Sequence, residues 1–355
     1  MNERGPAISV VIPAYKAEAF IARAVRSVLD QPDVRPEIIV VVDGVYDRTA
    51  EIAGGFPGVT VLVNDENKGA SAARNRGLAE ASAPYVLFLD ADDYVEGRFL
   101  SGLVANAEEQ ALDLVFGPSC REWPDGRREF VRPMPSRDAR RILCESVGGR
   151  IMLTTSSALW RKEFLFRIGR WKQDLLLLDD LEVAWRGMLN TQNVGYASTK
   201  GRGVYFQHDG PRITSQRTHR SLSSALKVLD WLKSELFARD ELNEPVRQAL
   251  CSRFYLFMVI SYTWGHNEIA EEFAIRWREL GGVNHEGTLL HRLACNLIGL
   301  RWKQRLSGSR FMSILRGAHH CIGRFASGFQ ISLQGEDPVV TGGRHAPTTP
   351  SSTAS

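Results

Sequence analysis

Short apolar runs, each closed by a turn-forming or acidic residue, recur through the first ninety positions. Ile8-Ser9-Val10-Val11-Ile12-Pro13 is the first, and residues 38–42, 59–63 and 85–89 repeat the pattern. They are β-branched or aromatic and mostly apolar at successive positions, as expected of strands covered on both faces. Between the first two runs Ala17, Phe20, Ile21, Ala24, Val25, Val28 and Leu29 recur at three- and four-residue steps, which predicts a helix with one apolar face. Residues 70–81 also read as a helix, and Asp47 is placed to cap a short helix two or three residues on. Alternation of this kind predicts an α/β fold with a mostly parallel, doubly wound sheet flanked by helices. Ligands of such sheets bind beyond the carboxyl ends of the strands.

After residue 112 the pattern loosens. Strands are expected at 112–116, 157–160 and 203–207, a hairpin or loop over 118–135, and a helix over 181–189. From Ser221 an apolar stripe of Leu222, Ala225, Leu226, Leu229 and Leu232 marks a change to helix. The expected organisation is an α/β domain at 1–215, a helical, basic region at 216–330 and a tail at 331–355. That tail ends in Pro, Thr and Ser without periodicity and is expected to be disordered.

Composition narrows the class. With 44% hydrophobic and 24% charged residues the chain is globular, and a net charge of +3 is too small to argue for nucleic acid. The charge is unevenly spread: residues 287–335 contain no Asp or Glu, and Arg292, Arg301, Lys303, Arg305, Arg310, Arg316 and Arg324 alternate there with apolar residues. This favours contact with an anionic membrane surface; a helical subdomain with solvated arginines is the plainer alternative. No nucleic-acid-binding motif accompanies it. Five scattered cysteines without metal or redox spacing suit a reducing compartment. Residues 1–7 have no apolar core of a leader, and the longest apolar stretch, near 254–264, is short of the about 20 residues a spanning helix needs. The expected location is the cytoplasm, free or on the inner face of the membrane.

Candidate chemistry sits at strand ends. Asp43-Gly44 follows the second run and Asp90-Ala91-Asp92-Asp93 the fourth. Three carboxylates in four residues repel one another unless a cation neutralises them, and a hard divalent ion does so naturally; a solvated turn is the plainer reading. Asp179-Asp180 stands before the helix at 181–189, where acids favour the helix dipole. No G-x-G-x-x-G follows the first strand and no G-x-x-x-x-G-K-[ST] occurs, which disfavours dinucleotide and P-loop functions.

Taken in order, four blocks across residues 9–210 resemble the family 2 inverting glycosyltransferases of the glycosyltransferase A fold. They are Ser9-Val10-Val11-Ile12-Pro13-Ala14-Tyr15, Val41-Val42-Asp43-Gly44, Asn67-Lys68-Gly69-Ala70-Ser71-Ala72-Ala73-Arg74-Asn75-Arg76-Gly77 and Leu87-Phe88-Leu89-Asp90-Ala91-Asp92-Asp93. A looser fifth, Gly169-Arg170-Trp171 with Leu178-Asp179-Asp180, resembles the stretch bearing the family's catalytic base. The resemblance implies that Pro13 and Tyr15 help hold the nucleotide, that Asp43 accepts from the base ring, and that Arg74 faces the diphosphate or locks the nucleotide pocket. It implies Asp90 and Asp92 at ribose and metal, Asp93 orienting the loop or joining the coordination shell, and His208 near the metal. Asp180 would be the general base, with Asp179 its neighbour or an acceptor contact. The implied cofactor is Mn2+ or Mg2+. The implied partners are UDP-glucose or UDP-galactose and a glycan or lipid-linked acceptor, as in exopolysaccharide or surface polysaccharide synthesis. Two positions depart from the family: Val42 replaces the first acid of its usual pair, and Val45 a small polar residue. They leave open a non-catalytic nucleotide-sugar-binding module. A nucleotidyltransferase is disfavoured, because Ala14-Tyr15-Lys16-Ala17 stands where a Gly-rich basic loop is expected.

Overall fold

The computed structural model describes residues 5–283 except 132, 209 and 211–217. The basic stretch at 287–335 and the tail at 331–355 lie outside the described residues. In chain order the first half runs β1 (Ile8–Ala14), α1 (Ile21–Leu29), β2 (Glu37–Asp43), α2 (Thr49–Gly54), β3 (Val59–Asn64), α3 (Ala70–Glu80) and β4 (Tyr85–Phe88). It continues with β5 (Tyr94–Arg98), α4 (Phe99–Glu109), β6 (Leu114–Phe116), β7 (Ser119–Glu122), β8 (Arg128–Phe130) and α5 (Ala139–Val147). A 3-10 turn at Thr155–Ser157 then leads into β9 (Ala158–Arg161), α6 (Lys162–Arg167), α7 (Asp179–Asn190), β10 (Val194–Tyr196) and β11 (Lys200–Phe206). Three helices close the described chain: α8 (His219–Ala238), α9 (Glu244–Thr263) and α10 (Asn267–Glu279).

Seven strands form the main sheet in the order β10-β6-β9-β4-β1-β2-β3. Pairing is parallel throughout β4-β1-β2-β3 and in β10-β6, so the expected α/β architecture of the glycosyltransferase A type is present. The apolar runs alternate between two cores, which is why they read as continuous. Val11, Ile39, Val41, Val86 and Phe88 face one, with α5, α7 and the closing helices. Val10, Ile12, Ile38, Val40 and Leu87 face the other, with α1 and α4. Helices α8 to α10 thus share the first core with the sheet. Asp47 lies one residue ahead of Arg48, the N-cap of α2, and accepts from the Thr49 amide at 3.0 Å.

Two features lie beyond what the sequence indicates. Strand β9 is antiparallel to both β4 and β6, with Leu87 opposite Leu159. A three- to five-residue strand has too few positions for its sequence to encode direction. The consequence is functional: β9 starts where β4 ends, so the turn at residues 155–157 lies beside the acidic cluster. The second feature is a four-stranded sheet, β5-β11-β7-β8. Val204 pairs with Tyr94, which returns the chain to the acidic cluster more than a hundred residues later. Among the described residues no helix is long and apolar enough to cross a membrane.

Candidate active site

The parallel strands β1, β2 and β4 all end on one edge of the main sheet, and the acidic residues gather there around a buried arginine. Arg74 lies on α3, which packs close to the strands because Gly77 carries no side chain: a Cβ there would come within 2.3 Å of Val11. One guanidinium nitrogen of Arg74 donates to Asp90 at 2.7 Å and another to Asp179 at 3.0 Å. Its face covers the Trp171 ring at 4.4 Å. Trp171 is itself pinned, exchanging two hydrogen bonds with the Asn75 side chain. Burial works against the Arg74 charge, but Asp90 and Asp179 outweigh it and keep the group protonated. Thr155 donates to the other Asp90 oxygen at 3.1 Å, and Ser71 donates to Asp179 at 3.0 Å.

Asp180 is the second residue of α7, after Asp179 and the capping Leu178, which lies in the left-handed region at φ 63°. One of its oxygens accepts from the Leu181 amide at 2.8 Å. Burial foremost, and the Asp179 charge next, push its carboxyl up to about 7; the Leu181 amide and Arg74 oppose this. The helix-start and base readings of Asp180 are therefore compatible: the helix holds the carboxylate while its surroundings raise its basicity.

Asp92 and His208 meet across 116 positions of chain, with Nε2 to Oδ2 at 3.0 Å. Asp93 explains how: fully buried, it accepts from the Phe206 amide at 3.0 Å and so ties the acidic turn to the end of β11. That bond fits the loop-orienting role, one of the two expected of Asp93. Arg23 adds a bond to the Asp92 carbonyl at 2.6 Å while covering the Phe206 ring at 4.0 Å. The His208 ring packs on Phe20 at 4.5 Å between centroids.

These residues offer a divalent ion two donors, the Asp92 carboxylate and the His208 imidazole, and a diphosphate and water would have to complete the shell. Among the described residues no three His, Cys, Asp or Glu side chains converge as a metal cluster. Each Asp90 oxygen already accepts one hydrogen bond, from Arg74 or from Thr155, which leaves one lone pair on each for the metal role expected of it. His208 Nδ1 accepts from the Gly210 amide at 3.0 Å, which puts the ring proton on Nε2, facing Asp92. Metal ligation through Nε2 would require that proton to move and Gly210 to release Nδ1.

At the far side of the edge Asp43 is buried and already engaged. It accepts from the Asn64 side chain at 2.7 Å, the Lys68 amide at 3.0 Å and the Gly69 amide at 2.7 Å. Its negative charge thus braces the loop into the N-terminus of α3. At most one of its roughly four lone-pair positions is left for a nucleobase. Pro13 is an interior residue of β1, paired with Val41 and sealed from solvent, so it can act only by shaping the strand. Tyr15 follows β1 with its ring 43% exposed at the sheet edge, free to meet a ligand.

The structure therefore gathers Arg74, Asp90, Asp179 and Asp180 at one locus, joins Asp92 to His208 beside it, and sets Tyr15 and Asp43 at the neighbouring strand ends. Sequence reasoning missed Thr155, which has no motif, and Arg253 on α9. Arg253 donates to the carbonyls of Ser146 at 2.6 Å and Val147 at 2.7 Å. Burial pushes it down to about 10, against the pull of the Asp180 charge. An arginine on the mostly apolar second half of α9 was the only signal for it.

A mostly parallel sheet with an acidic turn after its fourth strand, and an acidic pair clamped to the same arginine, defines the glycosyltransferase A fold. Residues 9–165 match the sequence model of glycosyl transferase family 2. The chain is similar to "Uncharacterized glycosyltransferase EpsJ" of Bacillus subtilis, 36% identical over 39% of this chain and 40% of EpsJ. It is similar to "Glycosyltransferase AglE" of Haloferax volcanii, 28% identical over 59% of this chain and 67% of AglE. The match to EpsJ thus spans less than half of that relative. In fold it is similar to S. aureus TarS 1-349 crystallised with UDP-GlcNAc, at a TM-score of 0.57 and 20% identity over 77% of this chain and 79% of that one.

Proposed function

We propose that this chain is an inverting glycosyltransferase that moves a hexose from a UDP-sugar to a hydroxyl of a glycan or lipid-linked acceptor in surface polysaccharide synthesis. The observation that carries this reading is the double grip of Arg74, which holds the acidic turn after β4 and the acidic start of α7 in one site. A donor site and a base are thereby kept at a fixed relation, as an in-line displacement needs.

In this reading Asp180 takes the proton of the acceptor hydroxyl as its oxygen attacks the anomeric carbon. The bond to the diphosphate breaks on the opposite side, and its electron pair leaves with the phosphate. A carboxyl with a midpoint near neutrality suits this task, since proton transfer is most effective when the base's pKa lies near the working pH. A bound divalent ion would supply charge neutralisation for the departing diphosphate, with Asp92 and His208 as the residues to hold it. Arg74 orients the two acidic segments, Thr155 fixes the Asp90 rotamer, and Asp93 keeps His208 over Asp92. The UDP-GlcNAc held by TarS supports a UDP-sugar donor; UDP-glucose and UDP-galactose are the first to try.

The experiment is release of UDP from a panel of nucleotide sugars with Mn2+. Release from one UDP-sugar that EDTA abolishes supports the reading, and binding without turnover in the presence of membrane extract would replace it with a non-catalytic module. The acid-free stretch at 287–335 fits an acceptor carried on an anionic membrane. Flotation with phosphatidylglycerol vesicles should weaken with salt and be lost in a chain ending at residue 286; equal flotation of that chain would remove this part.

A further inference from the structure

Two tyrosines and a lysine form a cluster at the ends of β1 and β2 that the chemistry above leaves unused. Tyr15 and Tyr46 meet edge to face, with centroids 5.4 Å apart and planes at 77°. Both are well exposed, at 43% and 53%. The Tyr46 ring lies against the α-carbon of Gly44, whose φ of 98° and missing side chain make room for it. It therefore sits one residue from Asp43. The Lys16 ammonium stands over both rings, 5.4 Å from each centroid, within the range of a cation–π contact. Lys16 itself has φ 50°, a conformation an ordinary side chain adopts at some cost.

Asp43 has three of its hydrogen-bonding positions filled by the protein. A base entering beside it can be read by its edge at no more than one point, so most of its binding energy has to come from its faces. Flat exposed rings at the strand ends provide such faces, and Tyr46 directly follows Val45, the position that departs from the family pattern. We propose that Tyr46 is the second wall of the nucleobase site, closing with Tyr15 on the base of the donor, and that Lys16 holds that space in the free protein. The inference rests on the donor reading above and names the residues that grip the base. Entry of the base turns Tyr46 from its edge-on packing toward a stacked one and displaces the Lys16 ammonium. Recognition by face tolerates a change of base better than recognition by edge.

The test is calorimetric titration of the full chain with uridine and with UDP. Uridine carries no phosphate, so it isolates the base site from any contact of Lys16 with the diphosphate. Tyr46→Ala should weaken both ligands by about fivefold or more, the scale of one lost base–aromatic stack, and Tyr46→Phe should bind as wild type does. Lys16→Asn accepts the backbone conformation and removes the competing cation, so it should tighten uridine by about two- to fivefold. Equal uridine affinity for wild type and Tyr46→Ala overturns the second wall. Unchanged or weaker uridine binding by Lys16→Asn overturns the place-holding role. A wild-type protein that binds neither ligand overturns the donor reading itself.

Discussion

Acidification perturbs the group on which the proposed chemistry turns. Asp180 is pushed up to about 7 by burial and by the neighbouring Asp179 charge. If the ionised form is the base, kcat/KM falls about tenfold for each pH unit below 7, leaving about 1% of the plateau at pH 5. A carboxylate with an ordinary midpoint near 4 would keep about 90% at that pH, so the two cases differ by nearly a hundredfold. The assay is UDP release from the preferred donor between pH 5 and 8, with Mn2+ saturating. Asp179→Asn tests whether the limb belongs to Asp180. Removing the Asp179 charge lowers the Asp180 midpoint and moves the limb toward acid, whereas a limb owned by another group stays in place. A profile flat from pH 7 to 5, or a limb indifferent to Asp179→Asn, would refute the assignment.

Three further outcomes follow from the same geometry. Arg74→Met leaves Asp90 and Asp179 without their shared partner; because both carboxylates keep some solvent, the loss should be about 2–3 kcal/mol, below the about 3–5 of a fully buried pair. Urea denaturation checks it, and an unchanged midpoint would contradict it. Mn2+ binding with UDP present, followed by electron paramagnetic resonance, should weaken at least about tenfold in Asp92→Ala and in His208→Ala. Asp90→Asn should change it less; the reverse order would make Asp90 the stronger ligand. Asp93→Ala unties the acidic turn from β11 and should lower Mn2+ affinity without touching a ligand, so an unaltered affinity would count against its orienting role.

The first four strands and the helices between them were legible because each strand is buried on both faces, which writes itself as an unbroken apolar run. That Asp92, Asp93 and Asp180 stand in acidic clusters at element ends was legible too, while the role expected of Asp180 came from the family resemblance. What brings Asp92 to His208 was not, since the second sheet is built from strands such as Tyr94-Val95-Glu96-Gly97-Arg98, whose sequence lacks strict alternation. The antiparallel direction of β9 was equally silent, and with it the bond from Thr155 to Asp90. Asp43 shows a different limit. A sequence shows that a carboxylate stands at a strand end, but the number of its lone pairs already taken by Asn64, Lys68 and Gly69 is a property of the fold.

The most direct test of the central claim is a comparison of sugar transfer by wild type and Asp180→Asn on the donor found in the screen. The substitution keeps shape and the bond to Leu181 while removing the base. Transfer reduced by about 10²–10⁴-fold, with UDP binding unchanged, is the predicted result. Near-normal transfer by Asp180→Asn would contradict the account.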